Sequence, residues 1–115
     1  ICQEYLWKLL LEGNSPVEFS SLGRWWGTDP ATRRQEEIDI MGEQDYETAL
    51  FGECKWTNEK VDTGVLDKLV KRSQMFQYRK VWLYLFGKRG FTEGCRRRAE
   101  EMGNVVLVTY EDILE

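Results

Sequence analysis

Histidine is absent from this chain of 115 residues. Its absence excludes Ser-His and Cys-His catalytic pairs, two-His metal sites and an ordinary histidine general base. Cysteine is scarce and odd in number: Cys2, Cys54 and Cys95 lie far apart and form no C-x-x-C pair. That spacing speaks against a zinc or dithiol motif and against a secreted disulfide framework, and it points to a reducing, cytoplasmic setting. No apolar run approaches the roughly 18 residues of a membrane span, and the longest, VWLYLF at 81–86, has the length of a strand. Acidic residues outnumber basic ones, 20 to 16, for a formal net charge of −4. A broadly basic nucleic-acid surface is therefore excluded, although local basic patches are not. Any catalysis falls to carboxylates, lysine or tyrosine working with a hard metal ion.

What is present is core material. The chain is 42% hydrophobic and carries five Trp, enough for a single packed domain over 1–115. It opens ICQEYLWKLLLEGN, with no Met and no signal-peptide pattern, and its apolar periodicity already runs at residue 1. The expectation is a helix cut in its middle, at the start of a C-terminal fragment of a longer protein.

The spacing predicts a helix over 1–12, with Ile1, Tyr5, Leu6, Leu9 and Leu10 on one stripe and Gly13, Asn14 and Pro16 as stop signals. A short strand is expected around 22–27 and a turn at 28–32. A strand over 34–43 follows, with Ile38 and Ile40 on one face and Glu37, Asp39 and Met41 on the other. Residues 43–45 close a hairpin onto an antiparallel strand over 47–56. A helix over 65–78 is predicted, with Asp62 or Thr63 as its N-cap. The stretch 80–88 reads as a strand buried on both faces. A helix over 92–103 stopped by Gly103, a second such strand over 104–110 and a tail or short turn of helix complete the chain. The order α-β-β-β-α-β-α-β implies an α/β domain, a mixed central sheet flanked by helices, with its last two strands parallel.

The stretch FGECKW at 51–56 sets Glu53 and Lys55 on one face of an otherwise apolar strand. The predicted hairpin brings Asp39 to the same spot. Two carboxylates suit a hard divalent cation, Mg²⁺ or Mn²⁺, and the backbone carbonyl of Cys54 offers a third ligand. A cation there would polarise a phosphoryl oxygen and acidify a bound water. Lys55 would orient that water, assist its deprotonation or stabilise charge on the phosphate.

These residues carry a resemblance. EID and ECK, with thirteen residues between them, are similar to the D…(D/E)-x-K signature of the PD-(D/E)xK nuclease superfamily, whose restriction-endonuclease-like fold has the order α-β-β-β-α-β. GRWWG, EEIDI and FGECKW together resemble the uncharacterised domain found C-terminal to some prokaryotic, especially archaeal, AAA+-type ATPases. The resemblance covers nearly the whole chain. It implies Asp39 and Glu53 as metal ligands, Lys55 as the catalytic lysine and Mg²⁺-dependent hydrolysis of DNA. It further implies an ATPase domain N-terminal on the same chain, and homodimers are common in the superfamily. Ile-Asp stands here where the superfamily name has Pro-Asp. Many members carry a further Glu on the first helix; Glu4 is a candidate for it. Gln74 and Tyr78 resemble a Q-x-x-x-Y motif of the exonuclease branch, on the helix over 65–78.

Plainer readings stand beside these. Glu53 and Lys55 form a simple ion pair on a half-exposed strand in one of them. Glu36 and Glu37 solvate a strand edge, or Glu37 supports Asp39 from the same face. Trp25 and Trp26 are expected in core and rim packing rather than as base-stacking platforms, and Trp56 in the core, facing away from Lys55. The Cys54 thiol is a small buried filler. Arg96, Arg97 and Arg98 make a solvated helix face or, with Lys71 and Arg72, touch DNA phosphates. The alternative function is a catalytically silent module that binds DNA or a partner for an attached ATPase.

Overall fold

The apolar run at 81–86 becomes the inside of a sheet. In the computed structural model, which describes residues 1–114, β4 (Lys80–Gly87) lies between β3 (Thr48–Lys55) and β5 (Val105–Thr109). Its side chains alternate between two cores: Leu83 and Leu85 enter one, Tyr84 and Phe86 the other. No polar face is left over, which is why the run carries no alternation of polarity.

The sheet has five strands in chain order, with β1 (Gly23–Thr28) and β2 (Gln35–Glu43) completing it. β1, β2 and β3 are antiparallel, while β3, β4 and β5 are parallel. The parallel pairs need crossovers, supplied by α2 (Thr63–Ser73) and α3 (Glu93–Met102). Both crossovers step across the sheet in one direction, so right-handed connection places both helices on one face. Leu66 and Leu69 of α2 and Cys95 and Ala99 of α3 accordingly share one core with Ile38, Phe51, Leu83 and Leu85. On the opposite face, Cys2 and Leu6 of α1 (Cys2–Leu11) pack with Val17, Ile40, Leu50, Tyr84 and Phe86. A short α4 (Tyr110–Leu114) follows β5. The expected mixed sheet with helices on both faces is what forms.

The helix ends follow local chemistry. Asp62 Oδ1 accepts from the Val65 N–H at 3.2 Å and Thr92 Oγ1 from the Cys95 N–H at 3.2 Å, each capping donors that the first turn leaves unpaired. Gly103 ends α3 at φ +78°, a conformation that favours glycine.

Three expectations fail, each through a long-range interaction. Ile38 and Ile40 do not share a face: Ile38 enters the α2–α3 core and Ile40 the α1 core. Against β1, Gly23 pairs with Met41 but Trp25 with Ile38, so β2 carries an extra residue there. Such a bulge reverses the alternation of side chains. The helix expected over 65–78 ends at Ser73, with Gln74 as its C-cap. Beyond it, Phe76 turns onto Trp25 and Phe51, and Tyr78 onto Phe51. Burying these rings against the sheet outweighs another turn of helix. Gln74 and Tyr78 therefore do not sit one turn apart on a helix. Trp56 is not in the core; it stands half-exposed, edge-on to Tyr110.

Phe51 joins the sheet to this aromatic group two residues before Glu53, and it is fully buried. Phe51→Ala is expected to cost about 3–5 kcal/mol, read as a lower midpoint in urea unfolding at an unchanged slope.

Candidate active site at the end of the β2–β3 ladder

The β2–β3 pairing runs from Glu43 opposite Ala49 to Ile40 opposite Gly52 and stops there. The bulge in β2 falls at this point. Two residues further along β3, the Cys54 N–H donates to Asp39 Oδ2 at 3.0 Å. The Asp39 carboxylate thus ties itself to the peptide between Glu53 and Lys55.

Glu53 and Lys55 lie on the α2 side of β3, as Phe51 does. Lys55 Nζ is 3.6 Å from Glu53 Oε1. Arg72 of α2 places Nη1 3.6 Å from Glu53 Oε2 and donates through Nε to Glu36 Oε1 at 3.0 Å. Arg24 of β1 reaches Glu37 Oε1 at 3.0 Å through Nε and Asp39 Oδ1 at 3.4 Å through Nη2. Four carboxylates and three cations therefore interlock where three strands and one helix meet.

Glu53 is the buried member, with 8% of its surface exposed. Its Oε2 accepts no hydrogen bond among the described residues. Burial pushes its carboxyl above the usual range and the nearby Asp39 charge adds to this, while Lys55 and Arg72 pull it back. The cations do not fully offset the desolvation.

The cluster opens into a cleft of about 700 Å³. Asp39, Glu53, Cys54 and Lys55 line it, together with Arg24, Trp56 and the first turn of α1, including Glu4. The structure thus brings Asp39, Glu53, Lys55 and Glu4 to one place. Among the described residues no three acidic or cysteine side chains converge as one metal cluster, so Glu4 stands at the cleft without closing a third ligand position. Glu37 is exposed and joined to Asp39 through Arg24. Gln74 is exposed at the end of α2, and Tyr78 donates to Glu43 at the hairpin end of β2, away from Asp39. The Cys54 thiol hydrogen-bonds with Cys2; that bond, then burial, pushes it far above its usual range. It packs against Cys2 between α1 and β3.

The basic candidates divide. Arg72 belongs to the cluster itself. Arg97 pairs with Glu93 at 3.2 Å, Arg98 with Asp67 at 3.2 Å, and Arg96 Nε donates to the Phe91 carbonyl at 3.5 Å. Lys71 lines a neighbouring cleft with Arg34, Lys68 and Arg72. Arg24 and the inward role of Arg72 went unread in the sequence. A cation inside GRWWG, on the strand beside the one that carries Asp39, was the one local signal for Arg24.

The profile of DUF234, described as archaeal and bacterial proteins of unknown function, matches residues 1–72. That span holds every residue of the cluster. Among solved structures, the fold is similar to a crystal structure of a protein of unknown function, AF1548, with a TM-score of 0.56 and 21% identity over 97% of this chain. This chain spans 63% of that protein's length. No curated protein matches the chain.

The raised carboxyl of Glu53 has a consequence for stability. A group with a raised value in the fold favours folding fully only when protonated, below its unfolded value, and that contribution is lost as pH rises through the raised value. Ionisation of Glu53 therefore works against the fold as pH rises through that window. Glu53→Gln is expected to melt higher than the parent chain at neutral pH, and the difference should shrink on acidification below the ordinary glutamate range. Thermal melts in a chelator across that range check it; a variant that melts lower at neutral pH contradicts the assignment.

Proposed function

We propose that this chain, which belongs to the DUF234 family of archaeal and bacterial proteins of unknown function, is a PD-(D/E)xK-type domain that hydrolyses DNA phosphodiester bonds. The observation that carries this reading is the meeting of Asp39, Glu53 and Lys55 in one cleft, around a buried carboxylate oxygen that accepts no hydrogen bond. The signature resemblance and the α-β-β-β-α-β order support it.

Asp39 and Glu53, with the Cys54 carbonyl, would hold Mg²⁺ or Mn²⁺. The donor set fits, because Mg²⁺ commonly takes one or two carboxylates and keeps several waters. Glu53 Oε2 fits as well: among the described residues it accepts no hydrogen bond, and only the Arg72 guanidinium at 3.6 Å faces it. When bound, the cation supplies a Lewis acid and a water of lowered pKa. The chain's own residues do the rest. Lys55, 41% exposed on the cleft side, donates to a phosphate oxygen or a water and balances the negative charge that builds on phosphorus. Asp39 fixes the Glu53–Lys55 peptide through the Cys54 N–H. Arg24 and Arg72 hold the two carboxylates in register and limit their mutual repulsion. An ATPase domain on the same chain, implied by the same resemblance, is part of the proposal.

Nicking of supercoiled plasmid with Mg²⁺ or Mn²⁺ is the test. Asp39→Ala and Lys55→Ala are each expected to slow it about 100-fold or more. Nicking that survives both substitutions overturns the mechanism.

A second reading has its own observation: Arg24 and Arg72 already engage the two carboxylates. In that reading the domain is a catalytically silent module that binds DNA or serves the ATPase. Titration calorimetry with Mn²⁺ separates the two. The nuclease reading expects binding that Asp39→Asn abolishes, and the silent reading expects no binding at this pair.

A further inference from the structure

Two tryptophans border the carboxylate cluster, and neither is in a core. Trp26 is 66% exposed. It pairs in register with Glu37, two residues from Asp39. It lines a cleft of about 500 Å³ together with Arg24 and Arg72, the guanidiniums that hold Asp39 and Glu53. Trp56 follows Lys55, is 38% exposed and lines the Asp39–Glu53 cleft itself. Its Tyr110 neighbour meets it edge-on at 5.8 Å between ring centroids. Trp25 shows what a packing tryptophan does on the same strand: it turns inward onto Phe76, at 5.0 Å. Strand alternation explains why Trp26 points out, but not why the outward residue is Trp. Single exposed apolar side chains are ordinary on a protein surface; two large aromatic rings lining the two clefts that share Arg24 are a pattern.

The charge distribution points the same way. Duplex binding draws on many Lys and Arg set against phosphates. Here the net charge is −4, and Arg72, Arg97 and Arg98 are paired with carboxylates of the chain. Arg34, Lys68 and Lys71 line a cleft with Arg72, where four basic side chains outnumber the two acids Asp29 and Glu36. That cleft shares Arg72 and Glu36 with the one Trp26 lines, and a short positive track leading to aromatic rings is the chemistry of a groove for unpaired nucleic acid, whose bases offer their faces for stacking. A duplex hides those faces.

We infer that the site takes an unpaired DNA strand, with bases stacked on Trp26 and Trp56 on either side of the phosphate at Asp39, Glu53 and Lys55. The inference rests on the nuclease reading and names its substrate. The test uses a labelled oligothymidylate and a blunt duplex of the same length, with binding read in chelator by anisotropy and cleavage read in Mn²⁺. The single strand should bind at least about tenfold tighter than the duplex. Trp26→Ala and Trp56→Ala should each weaken single-strand binding by about tenfold, and Trp26→Phe should restore most of it. Circular dichroism confirms that each variant is folded. Equal or tighter binding of the duplex overturns the inference, as does unchanged single-strand affinity in both alanine variants. The two readings fail separately. Tryptophan-dependent strand binding without any cleavage removes the nuclease and leaves the strand site. Cleavage of both substrates alike, indifferent to the tryptophans, removes the strand site and leaves the nuclease.

Discussion

A carboxylate taken out of water constrains everything around Glu53. Its charge loses hydration, and the only remedies are nearby cations and hydrogen bonds. The fold supplies two cations from different elements, Lys55 along the same strand and Arg72 from α2. Asp39 adds a like charge at the same spot, and Arg24 from β1 answers that one. Glu36 and Glu37 in turn position the two arginines. The result is two runs of alternating charge, Glu37–Arg24–Asp39 and Lys55–Glu53–Arg72–Glu36, with one buried oxygen that accepts no hydrogen bond among the described residues. A stable core would place an apolar side chain there. Retaining a charge in such a position is a feature of functional sites.

The bulge in β2 makes the arrangement geometrically possible. An unbroken ladder would occupy the Cys54 N–H with a backbone carbonyl. Where the ladder stops, the Asp39 carboxylate takes that N–H instead. One interruption thus brings the side chain of Asp39 to the peptide between Glu53 and Lys55 and opens the sheet end as a cleft. The same interruption sends Ile38 and Ile40 to opposite cores, so the cost in alternation is met by burial on both sides. The first turn of α1 lines the cleft through Cys2 and Glu4, while α2 reaches Glu53 through Arg72.

Parts of this were legible in the residues themselves. β4 shows an unbroken apolar run because both its faces are covered. Asp62 and Thr92 announce helix starts because a cap is a local hydrogen bond. Glu53 and Lys55 share a face because side chains two apart on a strand must. Other parts were hidden because their causes lie far away in the chain. The end of α2 depends on where Phe76 and Tyr78 find Trp25 and Phe51. Trp56, read as core, stays at the cleft because Tyr110 meets it there edge-on. Arg72 faces inward because Glu36, 36 residues earlier, draws it across the sheet.

The sequence by itself determined the α/β class, the order of its elements and the neighbourhood of Asp39, Glu53 and Lys55, since periodicity, caps and hairpin pairing act over a few residues. Only the tertiary structure decided how that neighbourhood is wired: which arginine meets which carboxylate, which tryptophan stands outside and where Asp39 points. Those depend on strand register and on the burial of charge, and both are settled by surfaces that meet only when the chain is folded.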